Sequence, residues 1–208
     1  MEGQHTAPPL LIMMTMETIT PSKELSLLSS MYLCKPSREA LANWKIALSE
    51  EPALFLDELK KAINDINSAS DEELEALLWD YTCLFIGPYK LPCPPWESVY
   101  TSPKRLMMQD AAAQVQELYT EAGLSINTGE VMPDHIGVEL NFLAVLLERT
   151  HSDNSSKDKQ VSMTGMFLNE HLLTWLPDFT RDMENAAETP FYRALARATW
   201  KIIEFIGK

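Results

Sequence analysis

Apolar residues recur three or four positions apart along most of this chain. That spacing puts them on one face of an α-helix rather than on alternate faces of a strand. Leu25, Leu28 and Tyr32 share such a face, and Thr20-Pro21 before them reads as an N-cap followed by a first-turn proline. Leu41, Trp44 and Leu48 repeat the pattern. After Pro52 comes a stripe of Phe55, Leu59, Ile63 and Ile66. The next segment opens on a capping box, Ser70 with Glu73. Its apolar face runs through Leu74, Leu77, Leu78, Tyr81 and Phe85 until Gly87-Pro88 stops it.

Ser102-Pro103 predicts a further helix start, with Met107, Ala111, Val115, Leu118 and Ala122 inside and Gly123 at the end. From Ile136 to Thr150 the chain is apolar nearly all round, as a central helix would be. Residues 150–160 are polar and read as a hinge or loop. A helix from Val161 is expected to break at Pro177, and a short one continues from there. Thr189-Pro190 caps and opens the last helix. No segment has the strand period and no internal repeat stands out. The expected fold class is all-α: a single-domain bundle of about eight or nine helices over residues 20–208, with residues 1–19 as a weakly ordered tail.

A length of 208 residues supports one hydrophobic core without disulfides or metals. The net charge of −13 argues against duplex DNA or an anionic membrane surface as the main partner. It suits a basic partner, or simply solubility. Cys34, Cys83 and Cys93 form no CxxC pair, which fits a reducing cytosol better than a disulfide framework. The run Leu10-Leu11-Ile12-Met13-Met14 is too short to span a membrane and no basic region precedes it. The expectation is a cytoplasmic protein without stable membrane insertion and without nucleic acid as partner.

Catalytic and cofactor motifs are missing: there is no GxxxxGK[ST], GxGxxG, HExxH or GxSxG. His5, His135, His151 and His171 sit at no metal-ligand spacing with each other or with a cysteine. The chain is therefore read as no enzyme, with no cofactor and no metal. The best polar candidate is Asp134-His135, just before the central helix. Asp134 is either that helix's N-cap or an acceptor for a guanidinium. His135 could donate, stack or tune the charge. Glu139, one turn on, needs a partner if buried, and a structural bond to a neighbouring helix is preferred.

The most unusual stretch is LFIGPYKLPCPPWESVY, residues 84–100. It holds Pro88, Pro92, Pro94 and Pro95 among Phe85, Tyr89, Trp96 and Tyr100. Such a segment is either a buried strap or a docking surface. Rings of this kind are commonly core. Tyrosines and a tryptophan on a proline-stiffened backbone also make a preorganised platform for a peptide.

This stretch resembles the signature of the TorD/DmsD family of molybdoenzyme maturation chaperones, nearest to its DmsD-like members. The family pattern is roughly L-F-x-G-P, a short run, then P-P-W-x-S-V and an aromatic. Here it reads Leu84-Phe85-Ile86-Gly87-Pro88 and Pro94-Pro95-Trp96-Glu97-Ser98-Val99-Tyr100. A second block, PDHIGVELNFLAVLLE, resembles the family's D-H-x-x-x-E-L-x-F helix. A third, with His171, Trp175, Pro177, Phe179 and Phe191-Tyr192, resembles its closing signatures. The resemblance implies an all-helical fold, no catalytic reaction and binding of the twin-arginine leader of a molybdoenzyme precursor. Export would be held back until the cofactor is inserted. It implies a leader groove at Tyr81, Leu84, Phe85, Tyr89, Pro95, Trp96, Tyr100, Asp134 and His135. Asp134 would engage the arginines and the aromatic residues the apolar stretch. The implied partners are the twin-arginine signal peptide, the catalytic subunit of a molybdopterin oxidoreductase and the Tat translocase. The chain would act as a monomer, or as a domain-swapped dimer hinged at 150–160. This chain departs from the pattern where tyrosine stands at positions 81, 89 and 100 in place of the family's frequent tryptophan. It also lacks the glutamate of the family's E-P-x-D-H, and its Pro133 is shifted by one place. Two alternatives remain open: an assembly factor for the mature catalytic subunit, and a nucleotide-binding accessory protein.

Overall fold

The computed structural model describes residues 21–50, 55–68, 70–88, 90–125, 131–152 and 157–208. Its helices are α1 (Ser22–Leu33), α2 (Arg38–Glu50), α3 (Asp57–Asp65), α4 (Asp71–Tyr81), α5 (Glu97–Thr101), α6 (Asp110–Glu121), α7 (Ile136–Ser152), α8 (Lys157–Phe167), α9 (Leu173–Ala186) and α10 (Pro190–Ile206). A π-helical turn, Thr82–Ile86, extends α4, and another, Leu168–Leu172, joins α8 to α9. With α8 and α9 counted as one rod, nine helical rods lie among the described residues, and no named strand does. The all-α expectation holds.

The all-round apolar α7 is central, with Ile136, Leu140, Leu143 and Leu146 fully buried. It packs most extensively on α1. Gly137 permits that approach, since a Cβ there would lie 2.5 Å from Leu33 Cγ. In the same place Ser29 Oγ donates to the Gly137 carbonyl at 2.5 Å. On the other side α10 packs against α9 and α3. Asp80, buried at the end of α4, accepts from the backbone N–H groups of Glu188 and Thr189 at 3.2 and 2.8 Å. It thereby ties α4 to the start of α10, where Thr189 and Pro190 cap and open the helix as expected.

Several boundaries differ from the sequence reading. The helix expected from Ser102-Pro103 starts only at Asp110. Arg105 and Met108 have φ of 51° and 58°, a left-handed backbone that no continuous helix contains. Met107 therefore lies in a loop. Pro177 does not break its helix but sits as the fifth residue of α9. The irregularity is displaced upstream, to the π-turn, where Thr174 Oγ1 donates to the His171 carbonyl at 2.5 Å. Of the capping box, Ser70 Oγ does accept the Glu73 N–H, but the Glu73 carboxylate turns to the Asn67 N–H at 2.7 Å. Thr20, Pro52 and the tail 1–19 lie outside the described residues. At the polar connection, α7 runs to Ser152 and α8 begins at Lys157.

Candidate functional site

The π-turn after α4 adds a residue to the turn, so Leu84 and Phe85 both face inward with Tyr81 while Cys83 and Ile86 face out. Gly87 then turns the chain with φ of 99°, which only glycine adopts cheaply. The proline strap that follows docks on the turn before α7. The Ile136 N–H donates to the Pro95 carbonyl, and the Glu97 N–H to the Asp134 carbonyl, both at 3.0 Å. Trp96 and His135 thus face each other across an isolated antiparallel bridge. Two sequence blocks forty residues apart meet there.

Asp134 is fully buried. Its Oδ2 accepts the Ser98 N–H at 3.0 Å, so it caps the first turn of α5, not α7. Its Oδ1 has no hydrogen-bond partner. The start of α7 falls to His135, whose Nδ1 accepts the Gly137 N–H at 3.1 Å. That bond leaves the imidazole proton on Nε2. The ring stands edge-on to Trp96, with centroids 6.2 Å apart. One edge of His135 stays open, but desolvation of the rest pushes its pKa down to about 4.

Between an unfolded-chain value near ~6.5 and about 4, the unfolded state takes up a proton that the folded state refuses. This group's contribution to stability is therefore lost as pH falls through that window. His135→Asn keeps an acceptor for Gly137 and removes the titration. In urea unfolding at pH 7, 6 and 5, the variant is expected to lose less stability than the parent by roughly 1–3 kcal/mol. Superimposable profiles would show that His135 is not held neutral.

The remaining candidates divide by depth. Tyr81, Leu84, Phe85 and Pro95 are buried, whereas Trp96 and Tyr100 are half-buried. Tyr89 lies outside the described residues. Phe85 packs against Tyr32, Tyr81 and Tyr192, with centroids 6.0, 5.5 and 5.9 Å away. Among the described residues, Trp96, Tyr100 and His135 are thus the members that reach the surface, while Tyr81, Leu84, Phe85, Pro95 and Asp134 are buried.

Beside Trp96 opens a cavity of about 840 Å³. Leu91, Pro92, Pro94, Val99 and Met107 supply apolar lining, and Lys90, Lys104 and Arg105 supply positive charge. The Arg105 guanidinium lies 5.1 Å from the centre of the Tyr100 ring, a cation–π contact. Burial pushes the Tyr100 phenol far above its ordinary pKa, and the nearby charges of Asp182 and Asp178 on α9 add to this. The cavity therefore has a basic edge. Leu106 and Met108 continue the rim as exposed apolar side chains. Sequence reasoning missed Lys90, Lys104, Arg105, Asp178 and Asp182. It also put Met107 inside a helix. The signal at hand was the run Pro103-Lys104-Arg105 directly after the strap, an unlikely core segment.

Behind the strap, His171 Nδ1 donates to Glu97, with 2.9 and 3.1 Å to its two oxygens. The Trp175 indole N–H donates to Glu139 Oε2 at 3.1 Å, the interhelical bond expected of Glu139. Burial pushes the Cys93 thiol far up, away from nucleophilic character. Among the described residues, no three His, Cys, Asp or Glu side chains are grouped to hold a metal ion. No helix among them is long and apolar enough to cross a membrane. The arrangement offers a concave surface lined by Trp96, prolines, aliphatic side chains and three cations.

Residues 45–181 match the model of the family described as nitrate reductase delta subunit. A relative from Haemophilus influenzae, named "Probable Tat proofreading chaperone DmsD", is 33% identical over 126 residues, or 60% of this chain. The match spans 57% of that relative's length. A chaperone protein TorD from Vibrio cholerae (El Tor Inaba) is 30% identical over 192 residues, covering 85% of this chain and 86% of the relative. The crystal structure of a protein described as a redox enzyme maturation protein from Archaeoglobus fulgidus superposes with a TM-score of 0.64. That match covers 98% of this chain and 99% of the other at 23% identity, a likeness of fold. The chain belongs to the nitrate reductase delta subunit family, and its TorD and DmsD relatives are named as chaperones.

Proposed function

We propose that this chaperone binds the twin-arginine leader of a molybdoenzyme precursor in the cytoplasm and delays export until the client is folded and loaded. The observation that carries this reading is Trp96, half-buried beside a cavity walled by prolines and aliphatic side chains, with half-buried Tyr100 next to it beneath the cavity's Arg105. The apolar stretch of a leader would lie on those rings and against the methionine-lined rim, whose flexible side chains adapt to varied sequences. The arginines would lie toward Asp178 and Asp182, whose charges reach Tyr100, and away from Lys90, Lys104 and Arg105. Asp134 would engage them only where its Ser98 cap is given up. Cys34 and Cys83, exposed and free, suit a reducing compartment.

The test is calorimetric titration with a twin-arginine leader peptide and a matched twin-lysine peptide. The arginine peptide is expected to bind at least ~10-fold more tightly, because a planar guanidinium makes paired bonds to a carboxylate that an ammonium cannot. Equal affinities would mean that only the apolar stretch is read. Failure of both would move the client contact to the mature catalytic subunit. The three cations lining the cavity favour a second reading, in which an anionic group such as a nucleotide phosphate occupies it. Competition between a nucleotide and the leader peptide distinguishes the two.

A further inference from the structure

With 30 acidic residues against 17 basic ones, the cations of this chain have carboxylates to spare. Arg38, Lys61, Arg181, Arg197, Lys201 and Lys208 each face one at ion-pair distance. Lys90, Lys104 and Arg105 do not: among the described residues, none of the three is in an ion pair. All three are exposed, and all three line the cavity beside Trp96. Like charges held together without a counter-charge repel one another, and an anionic occupant removes that repulsion.

Local bonds keep the cations in place. Arg105 and Met108 hold left-handed backbone, with φ of 51° and 58°, which residues with side chains disfavour. The Arg105 N–H donates to the Ser102 carbonyl at 3.0 Å, and the Gln109 side chain donates to the Met107 carbonyl at 2.9 Å. The Arg105 guanidinium lies over the Tyr100 ring. The loop thereby places Lys104 and Met107 in the cavity lining, and leaves Leu106 and Met108 51% and 69% exposed. This mixture narrows the occupant. A free phosphate would satisfy the cations but leave Leu91, Pro92, Val99 and Met107 wet. A flat anionic bilayer would not fill a concavity, and a net charge of −13 would be repelled by it. A peptide segment with a carboxylate beside large apolar side chains matches both the charge and the apolar lining.

We propose that Lys90, Lys104 and Arg105 take a carboxylate of the client peptide, at the end of its apolar stretch away from the arginines. The inference rests on the leader reading and deepens it. The groove then selects a client by three features in order: arginines, an apolar stretch and an acidic residue. Lys90 and Lys104 are specificity residues, while Arg105 also braces Tyr100. The sign of the effect separates this from general electrostatics. Non-specific attraction to a chain of net charge −13 would favour a lysine at that place in the peptide, so a preference for glutamate reports the local cations.

Calorimetry on the full chain tests it with two peptide pairs. One pair is a twin-arginine leader whose apolar stretch is followed by glutamate or by lysine. The other pair is the same two peptides cut to begin after the arginines. In both pairs the glutamate peptide is expected to bind roughly 3- to 10-fold more tightly at low salt, with the difference shrinking at high salt. Lys104→Glu, a change at an exposed loop position, is expected to reverse the order. Lys159→Glu makes the same charge change on α8, outside the cavity lining, and is expected to keep it. Equal affinities on the parent chain, or tighter binding of lysine, overturn the proposal. So does a glutamate preference that survives Lys104→Glu. Equal peptide affinities together with ATP binding that Lys104→Glu abolishes would give the cavity to a free anion. A glutamate preference in the cut pair, with no gain from the arginines in the full pair, would sink the leader reading and leave the carboxylate site standing. Failure of all four peptides would overturn both.

Discussion

Phe85→Ala is expected to cost about 3–5 kcal/mol of folding stability, among the largest single-residue losses in this chain. The residue lies within the segment that most resembles a binding signature, yet its ring is 6% exposed. It meets Tyr32 of α1, Tyr81 of α4 and Tyr192 of α10, so truncation opens a cavity where three helices converge. For a chain of this size that loss corresponds to a melting temperature lower by roughly 10 °C. Urea unfolding measures it directly. A loss under about 1 kcal/mol would show that the ring lines the groove more than the core. Any failure of Phe85→Ala to bind a leader would report lost folded protein before it reported a lost contact.

Trp96→Ala is expected to do the reverse. Its ring is half-buried, beside the cavity and edge-on to His135. The backbone bonds of its neighbours Pro95 and Glu97 hold the strap without the indole. Stability is expected to fall by no more than about 1–2 kcal/mol, while leader affinity falls by roughly 10- to 100-fold, as for a tryptophan anchor at an interface. Calorimetry on the folded variant separates the two effects. Undiminished affinity would place the peptide elsewhere, and the cavity would then be assigned to the anionic ligand.

Much of the fold was legible because helix periodicity is local. The stripe Leu74, Leu77, Tyr81, Phe85 and the all-round apolar α7 follow from side-chain direction every 3.6 residues. The caps at Ser70 and Thr189 are local too, since each hydroxyl serves an N–H three residues on. Reading failed where a boundary depended on something remote. Ser102-Pro103 has the chemistry of a helix start. The left-handed residues Arg105 and Met108 nevertheless postpone the helix to Asp110, and the loop they form walls the cavity. Pro177 has the chemistry of a stop, but the π-turn before it had already absorbed the irregularity.

The candidate site shows the same division. Residue type alone marked the strap, Asp134-His135 and Glu139 as worth explaining, because prolines among aromatics and a carboxylate on an apolar helix are costly without a purpose. Composition and spacing likewise determined the all-helical class and the absence of recognisable catalytic motifs. Depth was decided only by packing. Asp134 became the cap of α5, Phe85 a core ring and Trp96 a surface ring. The hydrogen-bond partner of Glu139 lies 36 residues away, at Trp175. The cations of the cavity come from one stretch, Lys90 to Arg105, while the carboxylates whose charge reaches Tyr100 come from another, Asp178 and Asp182. Local sequence sets which way a side chain points from its own helix. Which other charge it meets, and whether water reaches it, depends on chain segments that only the folded packing brings together.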